Sequence, residues 1–243
     1  MSLDKKNGLS DKKDGFLGKA DQSLRSPSLV DLAYDRIEAI ILSGQLKGGD
    51  RLNDSQLARA FSISRGPVRG ALAKLAEAGL VDHIPNRGAF VREIDLHDVL
   101  EIYEVRAAIE RASAKAACTN LSDDAWRQLE ACIHEMDKWY EKGDNESYFK
   151  LNLDFHYLIH QNSGNSRLME LYERYSREQR LFRHFSVVRS RMEDSHHEHK
   201  AIFKAFQKRD PEAAANAMER HVLSAKSRLV QAVKNVDPEL ATV

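Results

Sequence analysis

Ser64-Arg65-Gly66-Pro67-Val68-Arg69 constrains the fold of this chain more than any other stretch, because it joins a helix start to a pair of cationic side chains one turn apart. Ser64 is a good N-cap, and Pro67 lies in the first turn, where a missing N–H costs little. Gly79 supplies the stop. Val68, Ala71, Leu72 and Leu75 share one face of the predicted helix, while Arg65, Gly66, Arg69, Gly70 and Ala73 form a neighbouring face of small and cationic residues. Upstream, Leu29, Ala33, Ile37, Ile40 and Ile41 recur at helical spacing, and Gly44 follows where a left-handed cap is expected. Asn53 and Asp54 can cap a short helix bearing Leu57, Ala58 and Phe61, and Ser62-Ile63-Ser64 is a tight turn into the next. Two helices joined so closely form a helix-turn-helix unit.

After Gly79 the period changes. Leu80-Val81-Asp82-His83-Ile84, then Pro85-Asn86-Arg87-Gly88, then Ala89-Phe90-Val91-Arg92 read as a β-hairpin with a basic tip. The expected unit is a winged helix-turn-helix over residues 28–94. Arginines can fork onto guanine edges or hold phosphates, and small residues let a helix backbone approach the bases. Ser64, Arg65, Gly66 and Arg69 are the candidate DNA-binding residues on the helix, and Ser64 with the first-turn N–H groups suits a phosphate oxygen. Arg87 and Gly88 are their counterparts on the wing, where Arg87 can reach the backbone or minor groove and Gly88 allows an unusual backbone angle.

These residues resemble the DNA-binding domain of the GntR family of bacterial transcription regulators, whose Ser-Arg-Thr-Pro-Val-Arg-Glu-Ala-Leu pattern corresponds to Ser64 through Leu72. Gly44-Gln45-Leu46-Lys47-Gly48-Gly49 and Leu57-Ala58 match its approach segment. The resemblance implies binding to double-stranded operator DNA. Gly66 replaces a usual threonine, Gly70 a usual glutamate, and Ser55 stands where many members are basic, which leaves Arg65 and Arg69 as the readers. Each glycine weakens the helix by about 1 kcal/mol relative to alanine.

Composition narrows the class. Lys plus Arg and Asp plus Glu both number 37, so the chain is no general polyanion binder and DNA affinity has to come from local placement. No apolar run is long enough to span a bilayer, no signal sequence is expected, and Cys118 and Cys132 lack metal or redox spacing. They read as core thiols in a reducing cytoplasm. Residues 1–27, rich in Lys, Asp, Gly and Ser, read as a flexible tail, and 237–243 as a second tail.

Beyond Ile94 strands give way to amphipathic helices, expected near 97–118, 123–142, 146–162, 166–187, 191–208 and 212–234. The fold class is therefore mainly α, with a winged helix-turn-helix followed by an antiparallel helical bundle over 95–236. Among the ten histidines, His156, His199 and His221 fall on helices that can face one interior spot, with Asn152 one turn before His156. Three neutral imidazoles suit a borderline divalent metal such as zinc or nickel. Spacing alone leaves this open, since a histidine on a partly apolar helix is more often a hydrogen-bonded core residue.

This half resembles the FCD domain of the FadR-type branch of the same family. The likeness runs through Tyr103-Glu104-Val105-Arg106-Ala107-Ala108-Ile109-Glu110, Asn152-Leu153-Asp154-Phe155-His156, Gly164-Asn165, His199-Lys200-Ala201-Ile202 and Met218-Glu219-Arg220-His221. It implies a divalent metal held by Asn152, His156, His199 and His221 beneath a pocket for a small organic acid. Neutral Asn152, where relatives carry aspartate, gives a cation less charge and so lower affinity. Arg106 has two readings, an inward clamp on an effector carboxylate or an exposed i,i+4 pair with Glu110. His160, His196 and His197 are expected to face solvent or to support the ligands, and Asp154 to face elsewhere. The implied protein is a homodimeric, effector-responsive regulator. A metal-responsive regulator is the alternative, and a metal-dependent hydrolase a weaker one, since no His-Glu-x-x-His run or acid/base pair is present.

Overall fold

The computed structural model describes residues 27–182 and 192–236. The expected tails, Pro27 aside, and the end of the helix expected over 166–187 lie outside these residues.

The N-terminal half opens with α1 (Leu29–Leu42), started by a capping box in which Ser28 accepts from the Asp31 N–H and Asp31 accepts from Ser28. Its buried stripe is Ala33, Ile37 and Ile41, while Leu29, placed in the stripe by spacing, is 52% exposed. In α2 (Asp54–Phe61) Asn53 is the cap, accepting from Ser55 and Gln56, and Ser62 at φ 56 turns the chain directly into α3 (Arg65–Glu77). The expected apolar face is buried: Val68, Ala71, Leu72 and Leu75 lock α3 onto α1 and the sheet, each large side chain contributing about 1.5–3 kcal/mol. Gly79 at φ 79 ends the helix, and β2 (Val81–Ile84) pairs with β3 (Gly88–Val91) across the Pro85-Asn86-Arg87 turn. The wing has one strand more than the sequence suggests. β1 (Arg51–Leu52) pairs with the other edge of β3, giving the order β1-β3-β2; two residues are too few to carry a period.

Among the described residues six helices follow: α4 (Leu96–Asn120), α5 (Asp123–Glu141), α6 (Asn145–Gln161), α7 (Ser166–Leu181), α8 (Met192–Gln207) and α9 (Pro211–Val236). Their bounds lie within a few residues of those expected wherever the chain is described. α4 packs along α9, and α5 lies between α6 and α8. The main core gathers Leu129, Met136, Phe155, Ile159, Ile202 and Met218. A second cluster, with Ile94, Leu96, Val99, Phe182, Leu229 and Val233, holds the chain leaving the wing against the bundle. Cys118 and Cys132 are buried free thiols, and burial pushes the Cys132 thiol up to about 12. No helix among the described residues is long and apolar enough to cross a membrane.

Candidate DNA-facing surface and metal centre

Arg65, Gly66 and Arg69 are exposed on α3, and a Cβ at Gly66 would stand in open space. Ser64 occupies the N-cap position in extended backbone, but its side chain makes no capping bond, so it is not committed to the helix start. The two arginines converge on a residue that sequence reasoning treated only as a cap. Arg65 donates to the Asp54 carboxylate through Nε at 3.3 Å and Nη2 at 2.9 Å, and Arg69 donates to it through Nε at 2.9 Å. The hydrogen bond from Arg65, joined by that from Arg69, holds the Asp54 carboxyl below its usual range despite a small desolvation cost. Gly70 departs from expectation. A Cβ there would lie 3.2 and 3.3 Å from the two Val30 methyls, so Gly70 belongs to the α1–α3 contact, where it permits close helix approach, and not to the arginine face. On the wing, Arg87 is exposed in the turn with its guanidinium 5.5 Å from the Phe90 ring centre, and Gly88 takes φ 105.

The second site lies inside the bundle. His156 on α6, His199 on α8 and His221 on α9 are all buried, and their Nε2 atoms face one another: 3.2 Å from His156 to His221 and 3.5 Å from His156 to His199. Tetrahedral nitrogen ligands with bonds of 2.0–2.1 Å stand about 3.3 Å apart, so two of the three pairs are already near ligand spacing, and all three nitrogens lie within 4.8 Å of one another.

What aims the rings is on their far sides. His156 Nδ1 donates to Glu110 at 2.5 Å, His221 Nδ1 donates to Glu198 at 2.7 Å, and His199 Nδ1 lies 3.1 Å from the Tyr148 hydroxyl. An imidazole whose Nδ1–H is committed outward presents the Nε2 lone pair inward, and a carboxylate behind it raises its basicity. Burial, with the neighbouring imidazoles, holds the His199 pKa well below its ordinary value; burial also lowers that of His221. Neutral rings are the metal-binding form. Burial pushes the Glu110 carboxyl up, but Arg106 and His156 outweigh it and hold the group well below the usual carboxylate range. Glu198, raised by burial, is brought down to about 2 by hydrogen bonds from His221 and Arg228, the latter bidentate at 2.8 Å on both arms.

A cavity of about 100 Å³ adjoins the triad, lined by Tyr103, Arg106, Asn152, His156, Gln179 and His221 among others. Asn152 lines this cavity, and Asp154 is exposed. Arg106 combines its two readings. It does pair with Glu110, through Nε at 2.9 Å and Nη2 at 2.5 Å, but the Arg106 side chain is only 12% exposed and Glu110 fully buried, and Nη1 donates to Gln179 on α7. Tyr103 and Tyr172 lie on either side, each ring centre 5.9 Å from the guanidinium carbon.

Of the two expectations for the neighbouring histidines, facing solvent or supporting the ligands, the first does not hold for two of them. His160 is 1% exposed, stacked on Tyr172, and neither ring nitrogen has a hydrogen-bond partner among the described residues; burial lowers its pKa to about 4. His196 is buried against Tyr140, with its Nε2 3.0 Å from Asp137 Oδ1. His197 is exposed. Glu110, Glu198, Tyr148 and Arg228 were not singled out as site residues; the only sequence signal was the Arg106/Glu110 spacing, because the other partners come from different helices.

Comparison with known proteins places both halves. Residues 29–91 match the gntR family of bacterial regulatory proteins, and residues 101–224 match the FCD domain. The HTH-type transcriptional repressor RspR of Escherichia coli K12 is 32% identical over 72% of this chain and 77% of its own length. An uncharacterised HTH-type regulator of E. coli O6:H1, YdfH, is 32% identical over 81% and 87%, and YdhC of Bacillus subtilis, another, 29% over 79% and 84%. Among solved structures, E. coli McbR/YncC shares the fold with a TM-score of 0.71 at 22% identity, covering 84% of this chain and 98% of that one.

Proposed function

This chain belongs to the GntR family of bacterial regulatory proteins and carries an FCD domain, and from that premise we propose that it is a homodimeric operator-binding regulator whose DNA affinity is set by a small organic acid held beside a divalent metal. The family and its relatives are transcription regulators rather than enzymes. Residues 28–94 form the DNA-binding unit and 95–236 the effector and dimerisation unit of this reading, and the protein acts on DNA in the cytoplasm. A two-fold dimer presents its two α3 helices to half-sites about one DNA turn apart. Ser64, Arg65, Gly66 and Arg69 enter the major groove, and Arg87 with Gly88 follows the backbone or minor groove.

The observation that carries the effector half is the convergence of three Nε2 atoms beside a cavity also lined by a largely buried arginine. His156, His199 and His221 hold the ion, with Asn152 as the fourth protein group. Zinc or nickel bound there supplies a Lewis acid that anchors a carboxylate oxygen. Arg106 offers the second anchor: Glu110 fixes its Nε and Nη2, and its Nη1 faces Gln179, which an effector carboxylate can replace. The cavity favours an organic signal over the metal alone.

α7 provides the route to DNA. Tyr172, Ser176 and Gln179 line the cavity, while Glu178 packs on Gly79 at the end of α3 and lies 3.6 Å from Arg92 beyond the wing. Arg177 lies 3.8 Å from Glu38 of α1. A shift of α7 on effector binding therefore reaches α1, α3 and the wing together, and a coupling of about 1–3 kcal/mol changes operator affinity about 5- to 150-fold. The test is elemental analysis of gently purified protein beside His199→Ala and His221→Ala, followed by DNA titrations with a panel of small carboxylates. Near-stoichiometric metal lost in both variants, and operator affinity moved by one acid, is expected. Absence of metal after reconstitution removes the metal from this reading, and DNA affinity indifferent to every acid removes the effector.

A further inference from the structure

We infer that Asp54 sets DNA specificity by aiming the two recognition arginines and offsetting part of their charge, an inference that rests on the reading of Arg65 and Arg69 as groove contacts. One carboxylate, 21% exposed at the first position of α2, takes hydrogen bonds from both guanidiniums. The two are not held alike. Arg65 commits Nε and one hydrogen of Nη2, its side-on edge, and keeps Nη1 and the other Nη2 hydrogen. Arg69 is held among the described residues through Nε alone, with a side chain 70% exposed, and keeps both terminal amino groups. A guanine O6/N7 edge needs two parallel donors. Both arginines can supply them end-on without leaving Asp54; Arg65, held at two nitrogens, is the more firmly aimed, and Arg69, held at one, the freer to adjust.

The carboxylate also acts on what the arginines do elsewhere. It leaves the trio with a single net positive charge where two free arginines would have two, and it repels phosphates that approach the same spot. Sequence-independent binding comes from phosphate neutralisation, whereas discrimination comes from base edges. Asp54 therefore weakens the first and orients the groups that make the second. Its role is positioning: it touches no base itself.

The experiment measures affinity by fluorescence anisotropy over a salt series, using a duplex that the wild-type chain selects from a randomised pool and a scrambled duplex of equal length and composition. In Asp54→Asn, which keeps the shape and removes the charge, the scrambled duplex binds more tightly. Its log K against log salt steepens by about one unit for each arginine newly on a phosphate. Discrimination between the duplexes falls on the order of tenfold, within the range of one bidentate arginine–guanine contact. Equal change on both duplexes, or none, overturns the proposal. Should Asp54→Asn not fold, Asp54→Glu decides: its longer arm moves both guanidiniums, so a renewed selection returns an altered base preference, and an unchanged preference overturns the proposal. Arg69→Ala separates this outcome from failure of the groove reading, because an equal loss on both duplexes shows that Arg69 reads no base at all.

Discussion

Gly79→Ala is expected to destabilise the protein through a residue of the other half of the chain, and the size of the effect follows from two contacts. Gly79 sits at φ 79, where an L-residue with a Cβ costs about 1–2 kcal/mol. The new Cβ would also lie 2.2 Å from Glu178 Oε1 and under 3 Å from its Cδ and Cγ. Glu178 has to move, yet its side chain is 4% exposed and accepts from Arg174 Nε at 2.7 Å. Losing that charge-assisted bond costs about 1.5 kcal/mol, the low end of the range because Arg174 is itself half exposed. The expected total is about 3 kcal/mol. In a Glu178→Ala background only the backbone strain remains, so the same substitution costs about 1–2 kcal/mol, and the double-mutant cycle returns a coupling near 1.5 kcal/mol. Urea unfolding of the four chains supplies the numbers. An identical cost in both backgrounds refutes the reasoning, because the penalty would then owe nothing to the contact between α7 and the DNA-binding half.

Other consequences are equally open to measurement. In metal-free protein, His160, whose pKa falls from 6.5 to about 4 through burial, stays neutral in the fold while the unfolded chain takes up a proton. Its stabilisation is complete above pH 6.5 and is lost at about 1.4 kcal/mol per unit as the pH falls toward 4. Urea unfolding of His160→Leu should show a correspondingly flatter pH profile, and a profile parallel to wild type counts against this assignment. Gly66→Ala, with open space for its Cβ, should raise stability by about 0.5–1 kcal/mol. Gly70→Ala should gain nothing, since the Val30 methyls at 3.2 and 3.3 Å must give way; thermal melts in which both glycines behave alike would contradict the different surroundings assigned to them.

Much of this architecture is local and so was legible. The cap at Asn53, the glycines at 44 and 79 that end their helices, and the apolar stripe of α3 are each decided within a few residues. The inward face of the histidine triad also follows from helical period once the helices are packed. The parts that escaped reading are those made by distant segments. β1 exists because β3 offers it an edge; Gly70 faces Val30 because α1 crosses there; and the carboxylates behind His156 and His221 arrive from α4 and α8. Arg106 illustrates the limit well. Its i,i+4 partner was visible, but only the surrounding helices make that pair a buried one, changing a weak surface contact into a fixed orientation for the guanidinium.

The length of α4 has a mechanical consequence. The helix begins at Leu96, five residues after the last strand of the wing, behind an Asp95–Asp98 capping box, and it carries Arg106 ten residues further on. At a rise of about 1.5 Å per residue, roughly 15 Å of rigid rod separates the cavity from the head. Were the rod to pivot about Arg106 by about 10°, Leu96 would travel about 2.6 Å by the same geometry, comparable to the difference between a formed and a broken hydrogen bond. On that geometry α4 would be a lever with its fulcrum beside the cavity, so a small displacement there would reach the DNA-binding half enlarged, at the cost of repacking the Leu96–Val99 contacts with Phe182, Leu229 and Val233.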